Sequence, residues 1–168
     1  MTYSLILAVL IMVERFFEIN LAARNQKKIV AMGAIEFGRN HYFLFFVLHA
    51  GWLLGWLYET LLYGSLSDLW FVWLTVFLMA EVLRYWCIIS LGRFWNTRIF
   101  IVPGEQKVCR GPYRFIAHPN YLAVALVLVS VPLIFGAYRT AASATIINAI
   151  LLLGIRIPAE ARALQKLQ

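Results

Sequence analysis

Apolar residues gather in five long runs, roughly 2–22, 41–63, 69–90, 119–135 and 140–156, separated by polar segments of unequal length. Each run holds about 17 to 23 residues, and at about 1.5 Å per residue a helix of that length crosses a hydrocarbon core. The pattern predicts an all-α integral membrane protein with about five transmembrane helices, forming a single membrane-embedded domain over residues 1–168. The last two runs are short and predict a tight hairpin around Gly136 to Arg139. The first run lacks a basic leader and a small-residue cleavage site, so it reads as a retained span.

Charge orients these runs. Arg24, Lys27, Lys28 and Arg39 follow the first. Arg93, Arg98, Lys107, Arg110 and Arg114 follow the third, and Arg156, Arg162 and Lys166 close the chain. Twelve of the fifteen Lys and Arg thus fall on one side, with Arg139 alone on the other. Positive charge marks the cytoplasmic face, so the N-terminus is expected outside and the C-terminus in the cytoplasm. The long polar segments 23–39 and 91–118 share that face, where a soluble cosubstrate would be met. The setting is a multi-pass membrane protein, of the bacterial plasma-membrane type.

Composition agrees. The chain is 62% hydrophobic, where soluble domains are about 45–50% apolar. The net charge of +7 is explained by basic cytoplasmic segments, so no nucleic-acid partner is expected. Cys87 and Cys109 form no CxxC pair and the His residues are scattered, so no metal is expected. The pair Gly51 and Gly55 gives one GxxxG, a spacing that permits close helix approach.

Charges lie inside the first and third runs. Such groups are costly in a bilayer and face the bundle interior or a watery cavity. Glu14, Arg15 and Glu18 occupy the first run, where they tie helices together or serve a site. Glu81 and Arg84 occupy the third, and their three-residue spacing predicts that they pair on one helix face. Glu59 and Asp68 border the outer connection and need no special role.

The richest chemistry lies in "EVLRYWCIISLGRFWNTRIFIVPGEQKVCRGPYRFIAHPNYLA". Its middle reads as a short extended stretch, a turn at Pro103–Gly104 and a second break at Gly111–Pro112. "AHPNYL" reads as a helix start, with Pro119 at the first helical position and His118 at the cap. A helix N-terminus receives a carboxylate or phosphate. Tyr113, Arg114, Asn120 and Tyr121 are placed to converge there, and aromatic faces suit a flat base or a cation.

"GPYRFIAHPNYL" resembles the GxYRxxRHPxY-type signature of the isoprenylcysteine carboxyl methyltransferase family. The preceding stretch is similar to the family's upstream pattern, with Glu81, Arg84, Leu91, Gly92 and Trp95 in place. "RIPAEARAL" resembles its closing RIxxEExxL. The likeness covers about half the chain, from Glu81 to Leu164. It implies a small membrane enzyme that takes S-adenosylmethionine from the cytosol and a lipophilic acceptor from the bilayer, with the cofactor-binding part at roughly 81–168. By matching positions it implies cofactor contacts at Tyr113, Arg114, His118, Pro119, Asn120 and Tyr121. Arg156 and Glu160 would join His118 as catalytic residues, with Glu81 and Arg84 supporting them. Ala117 stands where the family pattern has Arg, Ala161 replaces its second acid, and the chain stops soon after Leu164. These departures turn the expectation from isoprenylcysteine towards a hydroxyl of a polyketide or phenolic lipid, such as an alkylpyrone.

A carboxylate acceptor needs no base, whereas a phenol or enol benefits from one, and His118 or Glu160 can serve. Carboxyl methylation of isoprenylcysteine stays open as an alternative. So do an NADPH-dependent membrane reductase, which also binds its cofactor at cytoplasmic helix ends, and a non-catalytic lipid-binding protein tied by buried ion pairs.

Overall fold

The computed structural model describes residues 2–64 and 66–167. The side chains of Lys166, counted above among the tail's cations, and of Leu167 lie outside that description. Six α-helices make up most of it: α1 (Thr2–Ala31), α2 (Tyr42–Tyr63), α3 (Trp70–Leu91), α4 (Pro119–Ile134), α5 (Tyr138–Leu151) and α6 (Ile157–Leu167). A π-helical turn, Leu152–Arg156, joins α5 to α6 without a break. The helical stretches 39–63, 70–94 and 138–165 are long and apolar enough to cross a membrane, and α4 is a shorter apolar helix.

Exposure is inverted relative to a soluble protein. Val82, Ile89, Met79 and Leu153 are about as exposed as side chains become, whereas Glu18, Glu81, Arg84, Asn148 and Arg156 are buried. Lipid is as apolar as leucine, so it solvates the outer side chains while the polar groups find partners inside. Helix–helix contact then depends on close packing, and small residues provide it. Ala80, Ala123, Ala137, Ala141 and Ala144 are all buried. A Cβ on Gly55 would lie 3.2 Å from the Thr140 side chain, whereas one on Gly51 would meet nothing. Only half of the GxxxG pair therefore serves an approach, that of α2 to α5.

The core joins Trp52 and Trp56 of α2 to Phe77 of α3 and to Val127, Leu128 and Val131 of α4. Trp56 stacks on Phe135 with centroids 5.5 Å apart, and the Trp52 indole donates to the Leu128 carbonyl at 2.9 Å. The expected α4–α5 hairpin is present and turns at Gly136, whose φ is +67°.

Three details differ from the sequence reading. First, α1 runs on through Arg24, Lys27 and Lys28 to Ala31, because Ala, Arg, Gln and Lys all favour helix and no glycine intervenes before Gly33. Second, the extended stretch at Ile99–Ile101 (β2) has a partner. Ile35–Phe37 (β1) pairs with it antiparallel, Glu36 opposite Phe100. The fold is therefore helical with one short ribbon. Third, Glu59 does have a role. Its carboxylate accepts the backbone N–H groups of Arg139 and Thr140 at 3.0 and 2.9 Å, and the Thr140 hydroxyl at 2.8 Å. It supplies the missing cap of α5 from a neighbouring helix.

Candidate active site at the start of α4

The loop that leads into α4 is fixed at both ends. Asn25, near the end of α1, donates from one buried amide to the carbonyls of Gly92 and Trp95 at 3.1 and 2.9 Å. Arg110 Nε donates to the Ser90 carbonyl at 2.6 Å. Gly111 has φ +57°, and a Cβ there would collide with Ser90 Oγ and come within 3.0 Å of Trp86 Nε1. Only glycine suits that left-handed, crowded position. The next residues form a short helical turn, Gly111–Arg114, with Pro112 buried. The chain then reaches His118 at the cap of α4 with Pro119 at its first position.

Residues 35 and 39 positions apart meet at this helix start. The Tyr121 hydroxyl donates to Glu160 Oε2 at 2.7 Å and accepts from Arg156 Nε at 3.2 Å. Arg156 also donates to the Thr97 carbonyl at 2.9 Å, and its guanidinium lies over the Phe45 ring, 5.8 Å from the centroid. The His118 and Tyr121 rings stack 5.2 Å apart and nearly parallel. His118 Nδ1 stands 3.8 Å from Glu160 Oε2. About 30% of the His118 and Glu160 side chains remains exposed, so the cluster opens at the surface while Arg156 is buried. The wider π turn carries Arg156 into this position, and π turns within α-helices concentrate at functional sites.

His118, Tyr121, Arg156 and Glu160 thus come together. Asn120, beside them, has a buried Oδ1 with no hydrogen-bond partner among the described residues. An acceptor in that state has use for a ligand donor. Tyr113 lies half-buried within electrostatic reach of Glu160 and Tyr121, and its hydroxyl meets the Cys87 thiol. Burial, with Cys87 beside it, holds the Tyr113 phenol well above its ordinary pKa, so it stays a protonated donor.

Three expected residues lie elsewhere. Arg114 is exposed, over the Phe115 ring at 5.8 Å, away from the cluster. Glu81 and Arg84 do not pair with each other as their spacing predicts. Arg84 binds Glu18 of α1 at 2.5 and 2.6 Å, and Glu81 accepts from Arg15 at 3.2 Å. Arg15 also bridges to Glu14 and Glu18. Partners on a facing helix offered better geometry than a neighbour on the same one.

Thr97, Tyr42 and Phe45 were absent from the sequence reading. Tyr42 donates to the Thr97 hydroxyl at 3.4 Å and carries Arg98 over its ring at 4.7 Å. Nothing in the local sequence marks them, because they reach the site through the ribbon and the start of α2.

The site contains a carboxylate, a buried guanidinium, stacked rings, an unpaired amide oxygen and a helix N-terminus. That set matches a zwitterionic amino-acid ligand with an aromatic base attached.

The model of the Isoprenylcysteine carboxyl methyltransferase (ICMT) family matches residues 73–166, more than half of the chain. An uncharacterized protein, YpbQ, of Bacillus subtilis is 40% identical over 165 residues, spanning 98% of this chain and 97% of that protein. An uncharacterized protein of Haemophilus influenzae is 27% identical over 171 residues, spanning 99% and 94%. No solved structure matches the chain.

Proposed function

This chain belongs to the isoprenylcysteine carboxyl methyltransferase family, and on that premise we propose that it is a membrane O-methyltransferase that uses S-adenosylmethionine to methylate a hydroxyl of a polyketide or phenolic lipid, such as an alkylpyrone. The observation that carries the reading is the junction of Tyr121, Arg156 and Glu160 at the start of α4, partly open at the surface of a chain whose other exposed side chains are largely apolar. It offers charge for a polar donor beside a surface that only a lipophilic acceptor can approach.

S-adenosylmethionine brings a methyl group on a sulfonium that is already activated for displacement. The protein's task is therefore alignment and exclusion of water. Glu160 and Asn120 Oδ1 are suited to hold the ammonium of the amino-acid end. Arg156 and the first N–H groups of α4 are suited to its carboxylate. His118 and Tyr121 present parallel aromatic faces to the base or the cation. In this reading α1 and α4 complete five spans, with the site at the cytoplasmic face and the N-terminus outside. No metal and no nucleic acid take part.

The test has two parts. Purified protein should bind S-adenosylhomocysteine and not NADPH in calorimetry. Incubated with a total lipid extract and a labelled methyl donor, it should label a neutral lipid detectable by mass spectrometry. Binding of NADPH alone would remove the reading, and labelling of prenylcysteine would move the acceptor to a carboxylate.

A further inference from the structure

Arg156 brings a buried positive charge to the site, and three elements grip it. They are α4 through the Tyr121 oxygen, α2 through the Phe45 ring and the segment before β2 through the Thr97 carbonyl. Among the described residues its Nη1 makes no hydrogen bond and no carboxylate pairs with it directly. A buried guanidinium in that state has N–H groups to spare for an anion. The direction of that free edge is set by the groups that hold the rest.

The Thr97 carbonyl is itself aimed. It belongs to the peptide unit that joins Thr97 to Arg98, which is trans, so its C=O and its N–H point in opposite directions. Arg156 Nη2 donates to the C=O at 2.9 Å. On the opposite edge the Arg98 N–H donates to Asn96 Oδ1 at 3.2 Å, a turn that asparagine side chains favour. The Asn96 amide is anchored in its turn, because Nδ2 donates to the Ala22 carbonyl of α1 at 3.3 Å. A backbone N–H only donates and a carbonyl only accepts, so these two partners fix which end of the amide is oxygen. Ala22 and Asn25 lie three residues apart on one face of α1, and Asn25 holds the Trp95 carbonyl just before. The side chains flanking the peptide are held as well. Tyr42 donates to the Thr97 hydroxyl, and Arg98 pairs with Glu36 of β1 at 2.9 Å.

We propose that Asn96 is a positioning residue, which acts through the peptide between Thr97 and Arg98 to aim the free edge of Arg156 at the carboxylate of the methyl donor. The inference rests on the methyltransferase reading and assigns what orients one of its contacts. Asn96 itself touches no ligand in it. A guanidinium meets a carboxylate best edge-on, through parallel N–H···O bonds, and a tilt of its plane forfeits one of them. Loss of the Asn96 oxygen leaves the Arg98 N–H without its acceptor and frees the peptide to rotate, carrying the Thr97 carbonyl with it. Arg156 then keeps its charge and loses its direction.

The test compares S-adenosylhomocysteine with its carboxamide, which puts a neutral amide of the same shape in place of the carboxylate. Binding of each is measured by calorimetry on the full chain in lipid nanodiscs. The wild type should favour the carboxylate by roughly tenfold or more, the scale of a charge-assisted hydrogen bond. Asn96→Ala should lose roughly tenfold on S-adenosylhomocysteine and little on the carboxamide, so that the preference collapses. Asn96→Ser drops the bond to Ala22 and offers the Arg98 N–H a weaker acceptor, so it should lose roughly two- to fivefold on the carboxylate alone. The serine variant decides the matter if the alanine variant does not fold. Equal losses on both ligands would show that Asn96 only maintains the fold, and would overturn the inference. So would equal losses in the alanine and serine variants, which would assign the effect to the Ala22 bond. An unchanged preference in the serine variant without the alanine result, an unchanged preference in the alanine variant, or a wild type with no preference would overturn it too. Failure of the wild type to bind S-adenosylhomocysteine would overturn the methyltransferase reading and this one with it.

Discussion

The Tyr121 hydroxyl sits 2.7 Å from Glu160 Oε2, and this single bond closes the start of α4 onto the start of α6. Because the same oxygen accepts from Arg156, it also sets how a guanidinium and a carboxylate stand relative to each other. Tyr121→Phe keeps the ring stacked on His118 and removes only that oxygen. Hydrogen bonds to charged groups contribute about 1.5–3 kcal/mol when buried, and this half-open site should show the lower end. The expected result is roughly tenfold weaker binding of S-adenosylhomocysteine, about 1.4 kcal/mol, with little change in thermal unfolding. Calorimetry and a melting curve on the same preparation check both halves.

Gly111 tests the loop rather than the site. A side chain there meets a left-handed φ and collides with Ser90, so Gly111→Ala must shift the turn that delivers His118 and Pro119. Strain of about 1–2 kcal/mol from the backbone alone should appear as a lowered melting temperature. Because the turn leads directly into the site, cofactor affinity should fall in parallel. Retention of wild-type affinity would mean that the loop and the α4 start are mechanically independent.

Glu18 and Arg84 form an ion pair with both side chains less than a tenth exposed. Removing one partner strands a buried charge and should cost about 3–5 kcal/mol. Arg84→Gln or Glu18→Gln alone is therefore expected to yield poorly folded protein. The double variant Glu18→Gln/Arg84→Gln should recover much of the loss, because neutral amides can pair with each other. A double-mutant cycle by denaturant titration in detergent measures that coupling, and additive losses would show that the two residues act separately.

These contacts also show what the sequence made legible. The helix start at Pro119, the α4–α5 hairpin and the stretch at Ile99 follow from local rules, because proline and glycine act within a few residues. The clustering of positions 118–121 with 156–160 came from family likeness rather than from local pattern. The partner of Arg84 was misjudged because spacing along one helix states which residues can meet, not which facing helix competes for them. Residues such as Thr97 and Phe45 were invisible for the same reason. Thr97 enters through a backbone carbonyl, which any residue would supply. Phe45 stands in an apolar run where nothing distinguishes the face turned towards the site. The role of Glu59 escaped because a cap borrowed from another helix leaves no mark near the capped residues.

Glu59 gives the prediction that separates stability from chemistry. Its carboxylate holds two backbone N–H groups and one hydroxyl at the start of α5, at the end of that helix remote from Arg156. A helix N-terminus carries partial positive charge and up to four unpaired N–H groups, and Ala137, at the cap, makes no side-chain hydrogen bond there. Glu59→Gln keeps one acceptor and loses the charge, whereas Glu59→Ala loses both. Stability should therefore fall in that order, by roughly 1–2 kcal/mol for alanine, read from melting curves at a fixed detergent concentration. S-adenosylhomocysteine affinity should not change in either variant below the melting range, because the π turn and α6 keep their contacts with Tyr121 and Thr97. Loss of affinity at full folding would show that α5 transmits the state of its N-terminal end to Arg156, and the two ends of the helix would then have to be treated as one device.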